Sequence, residues 1–213
     1  MKKTDEGRQK RLAEIMAVLG PMFPERKPFL NFETPFQLLV ATVLSAQCMD
    51  ATVNKVTPEL FRRFPDPPAL SEAPLAEVER LIHSTGSFRV KAHNIKALSR
   101  MITERHDCKV PDLMEALTAM PGVGRKTAGV VLSQIFGQPA IIVDTHFSRV
   151  SRLLGLTNSE KQDVIENDIA GIAKREEWTD ISNVLNRFGR AVCHSRNPDC
   201  GNCPVRQFCA NTH

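Results

Sequence analysis

The segment Thr34-Pro35-Phe36-Gln37-Leu38-Leu39-Val40-Ala41-Thr42-Val43-Leu44-Ser45-Ala46-Gln47 limits the fold more than any other part of the chain. Thr34 reads as a helix cap and Pro35 as the first helical position, where its missing N–H costs nothing. The helix expected from Phe36 to Gln47 is apolar on almost every side. A helix with no polar face has to be enclosed by other elements, so this one predicts the axis of a helical domain.

The flanking sequence supplies the enclosing helices. Leu12, Ile15, Met16 and Leu19 form a stripe at helical spacing in a segment Arg8–Leu19 that Gly20-Pro21 should stop. After a connector at 24–32 and the axial helix, Asp50 should cap one helix. Thr57-Pro58-Glu59 should open another that runs to Phe64. Residues 65–74, rich in proline, read as a loop, followed by helices at 75–83 and 88–106, with Gly86 between them. The second carries Arg89, Lys91, His93, Lys96 and Arg100 and is strongly basic. Further helices are expected at 113–120, 125–136, 145–154, 160–175 and 178–192. Residues 137–143 are the only β-like run, too short and isolated for a sheet, so the fold class is all-α.

With 213 residues and 42% apolar content the chain can bury a large core in one domain or two small ones. Its net charge is +4, which permits a nucleic-acid partner without requiring one. Residues 1–12 have no apolar run behind their positive charges, and no window approaches the ~18 apolar residues of a membrane span. A soluble, intracellular chain is expected, and structural disulfides are rare inside cells.

The six cysteines therefore call for another explanation, and four of them fall at 193, 200, 203 and 209. The intervening residues, with Pro198, Gly201 and Pro204, form turns and carry few apolar groups, so a metal centre would have to supply their stability. Tetrahedral zinc and a [4Fe–4S] cluster both fit four thiolates. A single CxxC between lone cysteines suits the cluster better than paired zinc knuckles. Cys48 and Cys108 read as buried thiols.

Met120-Pro121-Gly122-Val123-Gly124-Arg125-Lys126-Thr127-Ala128 reads as a tight turn between two helices. Gly122 and Gly124 can both take positive φ. The first amides of the following helix make an anion site, with nucleic-acid phosphate as the natural anion. Lys126 stands in the first turn, where the helix field favours the neutral amine that a nucleophile requires; a simple phosphate contact beside Arg125 is the competing role. The helix 125–136 should be roughly 18 Å long. An extended return over 137–144 can span roughly 23 Å, enough to bring Asp144 back beside Lys126. Asp144 could then stabilise positive charge on a sugar or move protons, and its position equally suits capping the helix that starts Thr145-His146.

These motifs together resemble the endonuclease III family of helix–hairpin–helix DNA glycosylases. The likeness extends to Leu44-Ser45-Ala46-Gln47, Lys91-Ala92-His93-Asn94-Ile95, Val143-Asp144-Thr145-His146 and Leu185 to Arg190. The resemblance implies two all-α lobes: a six-helix barrel at 28–139 with the hairpin, and a discontinuous iron–sulfur domain of 1–27 with 140–213. It implies a bifunctional DNA glycosylase and AP lyase of base-excision repair. Lys126 would attack C1′ with Asp144 assisting, and Cys193, Cys200, Cys203 and Cys209 would hold a [4Fe–4S] cluster. DNA would be met by Gln47, Ser87, Phe88, Gly122, Val123, Gly124, Arg125, Thr127, His146 and Arg196. The partner implied is double-stranded DNA with damaged pyrimidines or abasic sites, met by a monomer in a bacterial-type cytoplasm, at the nucleoid and not at a membrane. A monofunctional glycosylase for another lesion and a non-catalytic DNA-binding module remain the alternatives.

Two departures from the family stand out. Ser87 replaces the leucine that often serves as a second wedge, so Phe88 or another side chain has to compensate. The loop 194–199 offers Arg196 and Asp199 where the family is usually rich in Lys and Arg, which should flatten the salt dependence of DNA binding. Narrower substrate range or lower efficiency is expected.

Overall fold

The computed structural model describes residues 5–25 and 28–211. Residues 1–4, part of the amino-terminal segment read above, and 26–27, within the connector at 24–32, lie outside the described residues. The chain divides into two compact units, Lys27–Gln138 and Met1–Arg26 with Pro139–His213.

The central unit contains α2 (Pro35–Leu44), α3 (Asp50–Arg63), α4 (Pro67–Glu72), α5 (Leu75–Ile82), α6 (Phe88–Arg105), α7 (Met114–Thr118) and α8 (Arg125–Ile135). The axial helix α2 is capped as its sequence dictates: the Thr34 hydroxyl accepts from Gln37 N at 3.2 Å. Every residue from Leu38 to Leu44 is buried. Helices α3, α6 and α8 pack around it.

Prolines cause the main departures from the expected elements. Pro58 does not open a new helix but lies inside α3. The stripe Val53, Thr57, Leu60 and Phe61 runs straight through it. Removing one helical hydrogen bond and accommodating the ring costs ~3 kcal/mol. Burying several such side chains returns ~1.5–3 kcal/mol each, so packing wins. Pro67-Pro68 opens α4 where a loop was expected, because Asp66 caps it through a 2.9 Å bond from Ala69 N and Pro67 needs no acceptor at the first position.

The second unit contains α1 (Asp5–Met22), α9 (Thr145–Leu153), α10 (Gln162–Ala170) and α11 (Trp178–Ala191), with a core built on Leu12, Ile15, Phe147, Leu185 and Phe188. Pro21 sits in the last turn of α1, which ends at Met22, three residues later than expected. Helix α10 stops at the Gly171 cap rather than continuing to 175.

No strand occurs among the described residues. The β-like run instead lies extended along α11, where hydroxyls replace a partner strand. Ala140 N donates to Thr179 Oγ1 at 3.3 Å and Ile142 N to Ser182 Oγ at 2.9 Å. Alternation buries Ile141 and Val143, and the segment delivers Asp144 to the start of α9.

Candidate functional site

In the hairpin between α7 and α8, Val123 N donates to Met120 O at 3.1 Å and the Val123 side chain is buried, pinning the turn to the core. Gly122 has φ 77, and a Cβ added there would come within 2.8 Å of Asn94 Nδ2 on α6. Gly124 departs from expectation: φ −92 and ψ 175 are ordinary extended backbone. It caps α8 with no side chain to offer, and an added Cβ would meet nothing within 4 Å. Gly124 therefore offers the first amides of α8 no side-chain acceptor, and the space beside the cap is open. Arg125 and Lys126 are exposed in this first turn, with Thr127 half-buried.

Two further turns carry Gln47 and Ser87. Both residues are exposed and adopt the left-handed conformation, at φ 53 and φ 46, which is unusual outside glycine. Phe88 begins α6 half-buried and does not project freely. Its ring packs against His83 in a tilted arrangement, 4.5 Å between centroids, and the Arg89 guanidinium lies 4.8 Å over it.

The basic helix α6 has two lysines turned inward rather than towards a ligand. Lys91 is 6% exposed and donates to Leu44 O at 2.8 Å and Thr85 O at 2.7 Å. Burial holds its pKa below the ordinary lysine range, and Cys48 partly opposes this. Lys96 donates to Ser71 O at 2.8 Å and to Ala73 O, closing the end of α4, and burial lowers its pKa too. Lys91 falls in register with Ile95, Leu98 and Ile102 of the α6 stripe, a placement that marks it as core-facing in the sequence.

In the second unit Asp144 is 7% exposed and is the N-cap of α9. One carboxylate oxygen accepts from Phe147 N at 2.7 Å, and the other accepts from Asn186 Nδ2 on α11. The capping role is therefore realised, and Asn186 fixes the carboxylate from the far side. No pattern in α11 singles out Asn186. His146 is half-buried, with Nδ1 3.3 Å from Gly189 O and 3.3 Å from Arg149 Nη2.

The cysteine loop is anchored from three sides. Arg149 of α9 donates to Cys193 O (3.1 Å from Nε, 2.5 Å from Nη2) and to Gly189 O at 2.8 Å. Arg11 of α1 donates to Phe208 O at 2.9 Å, and Ala210 N donates to Leu153 O at 2.7 Å. The stretch has more apolar anchorage than its composition suggested, since Val205 is fully buried and Phe208 packs against the same core. Arg196 is exposed. The Asp199 carboxylate accepts from Asn202 Nδ2 at 3.1 Å and braces the turn between Cys200 and Cys203.

All four cysteines are half-buried free thiols. Burial pushes Cys193 up while Arg149 draws it down, and its neighbours Cys209 and Cys203 raise it further. Burial also pushes Cys203 up, with Cys209 and Cys200 adding to the shift. Among the described residues no group of three or more His, Cys, Asp or Glu is placed to hold a single metal ion. A four-iron cluster makes no such demand, because each thiolate binds a different iron. Cys48 is half-buried, while Cys108, expected to be buried, is exposed in the turn after α6 at φ 58.

Comparison with known proteins matches residues 40–175 to the HhH-GPD superfamily of base excision DNA repair proteins and 193–209 to the iron–sulfur binding domain of endonuclease III. Endonuclease III of Synechocystis sp. is 47% identical over 203 residues, covering 95% of this chain and 93% of that protein. The chain belongs to the endonuclease III family. Among solved structures, a non-covalent endonuclease III–DNA complex superimposes with TM-score 0.91 at 40% identity, covering 95% of each chain. A trapped endonuclease III–DNA covalent intermediate gives 0.90 at 40% identity, covering 98% of this chain and 96% of the other. The family's cofactor is a [4Fe–4S] cluster, and the four-thiol set at 193–209 fits it. Among the described residues no helix is long and apolar enough to cross a membrane.

Proposed function

We infer that this chain is a bifunctional DNA glycosylase and AP lyase that removes oxidised pyrimidines from duplex DNA and cuts the strand 3′ to the resulting abasic site. The observation that carries the reading is Lys126, an exposed amine in the first turn of a helix whose glycine cap leaves the approach open.

The hairpin amides and Arg125 take a backbone phosphate, with Gly122, Val123, Gly124 and Thr127 shaping the turn. The damaged nucleotide leaves the stack, and Gln47, Ser87 and Phe88 meet the gap it leaves. The Lys126 amine, having shed a proton, attacks C1′ and displaces the base, which takes up a proton as it departs. The sugar ring then opens at the C1′–O4′ bond, O4′ taking the proton that the amine gives up, and the imine left at C1′ makes a C2′ proton acidic. Its loss expels the 3′ phosphate by β-elimination, and water then frees the amine. Asp144 supplies the carboxylate that stabilises positive charge as the base departs. Asn186 holds one of its oxygens for that purpose. His146 and Arg196 contribute to DNA binding. Cys193, Cys200, Cys203 and Cys209 hold the [4Fe–4S] cluster, which fixes the fold of their loop when bound. The enzyme acts as a monomer in the cytoplasm, at the nucleoid.

Ser87 cannot fill a vacated base position, and Phe88 is already engaged by His83 and Arg89. This supports a narrower substrate range or lower turnover than in relatives that carry leucine there. The test is borohydride trapping on duplexes bearing thymine glycol or an abasic site. Wild-type protein should give a covalent adduct that Lys126→Ala loses while still binding DNA. Base release without strand cleavage and without an adduct would point instead to a monofunctional glycosylase, and binding with neither would leave a DNA-binding module.

A further inference from the structure

Lys91 is a buried cation for which the reaction above has no use. Both of its hydrogen-bond partners are main-chain carbonyls, Leu44 O at 2.8 Å and Thr85 O at 2.7 Å. Burying an ammonium is expensive, and an apolar side chain of that length would satisfy the core at least as well. What the ammonium alone can do is bridge two acceptors.

Those acceptors are placed where the chain leaves regular structure. Leu44 is the last residue of α2, and three residues on lies Gln47 at φ 53. Thr85 closes the short 3-10 turn after α5, and two residues on lies Ser87 at φ 46. Left-handed backbone at a residue other than glycine persists only where its surroundings hold it there. One ammonium grips the base of both turns. One helical turn further along α6, Asn94 lies on the same face and abuts Gly122 of the hairpin. A single face of α6 therefore registers two exposed turn tips and the hairpin against one another.

We propose that Lys91 is a positioning residue that fixes the spacing of the Gln47 and Ser87 turns, so that both tips meet the opened DNA stack together while the hairpin holds the phosphate. This rests on the reading of Gln47 and Ser87 as gap-facing residues. Removing the ammonium lets the turns drift apart. Engagement of the lesion is impaired, while attack on a sugar already freed of its base is spared.

The experiment compares wild type with Lys91→Met, which keeps the length of the aliphatic stem without a donor, and Lys91→Arg, which keeps a cation with several donors. The substrates are a thymine glycol duplex and a duplex with a preformed abasic site. A third duplex carries 2-aminopurine next to a stable abasic analogue, so that its fluorescence rises as the stack opens. Lys91→Met should raise KM for thymine glycol by about tenfold or more, with kcat on the abasic duplex within about threefold of wild type. It should also lose most of the fluorescence rise, and Lys91→Arg should restore both. Unchanged KM and fluorescence in a folded Lys91→Met protein would overturn the proposal, as would an equal loss of kcat on both substrates at unchanged KM. Where Lys91→Met does not fold, Lys91→Gln, whose uncharged amide nitrogen lies one atom nearer the backbone, carries the same comparison. A wild-type protein that neither opens the stack nor cleaves would refute the functional reading. In that event, unchanged amide exchange at the Gln47 and Ser87 turns in Lys91→Met would separately refute the bridging role.

Discussion

At φ 77 Gly122 occupies backbone space that costs an L-residue about 1–2 kcal/mol. An added Cβ would also lie 2.8 Å from Asn94 Nδ2, a side chain wedged between α6 and the hairpin. The two glycines of the hairpin are thus not equivalent. Gly122→Ala should lower the free energy of unfolding by about 1–3 kcal/mol, read from the denaturant midpoint at unchanged slope. Gly124→Ala, at ordinary extended backbone with nothing within 4 Å, should leave stability within about 0.5 kcal/mol. Because its methyl group would stand where a phosphate approaches the α8 amides, Gly124→Ala should still weaken DNA binding. Equal loss of stability in the two variants would remove the steric account of Gly122.

Among the elements, the contact that most directly supports Asp144 is the crossing of α9 and α11 at Gly189. A Cβ there would meet His146 Cβ and Val150 Cγ2 at 3.0 Å and the His146 carbonyl oxygen at 3.3 Å. The last of these is backbone, so the helices would have to separate. Gly189→Ala should destabilise the protein by about 1–3 kcal/mol through overpacking. It should also stretch the Asn186–Asp144 bond, reducing turnover on damaged DNA beyond what the lost folded fraction explains. A variant as active per folded molecule as wild type would show that the crossing does not set the carboxylate. Elements such as α5, α6, α9 and α11 were legible because each carries a stripe at helical spacing and a recognisable start or stop. Pro58 misled because it signals a helix start, whereas burial of Val53, Leu60 and Phe61 on either side decides the matter. The same limit applies to the site. Lys126 and the four cysteines announce themselves by spacing, and Asp144 by its place before Thr145. Asn186, Arg149 and the inward turn of Lys96 depend on which carbonyl or carboxylate lies opposite, and local sequence does not encode that.

For the molecule as a whole, the division into Lys27–Gln138 and Met1–Arg26 with Pro139–His213 separates the consequences of losing the cluster. The cysteine loop is anchored within its own unit: Arg11 of α1 reaches Phe208 O, Arg149 of α9 reaches Cys193 O, and Val205 is buried in the core of Leu12, Phe147 and Leu185. The central unit has a separate apolar core around α2, built from residues 30–132 and including none of the four cysteines. A structural metal centre contributes its binding free energy directly to the stability of what it ties together. Removing the cluster, by oxidation or in Cys203→Ser, should therefore speed amide exchange in α1, α9, α10 and α11. Amides of α2, α6 and α8 should keep at least most of their protection. The loop amides should be lost first, then the end of α11, where Cys193 N donates to Phe188 O at 3.0 Å and Arg149 holds Gly189 O. Uniform loss of protection across both units at matched temperature would mean that the two fold as one cooperative block, with the cluster stabilising the whole chain.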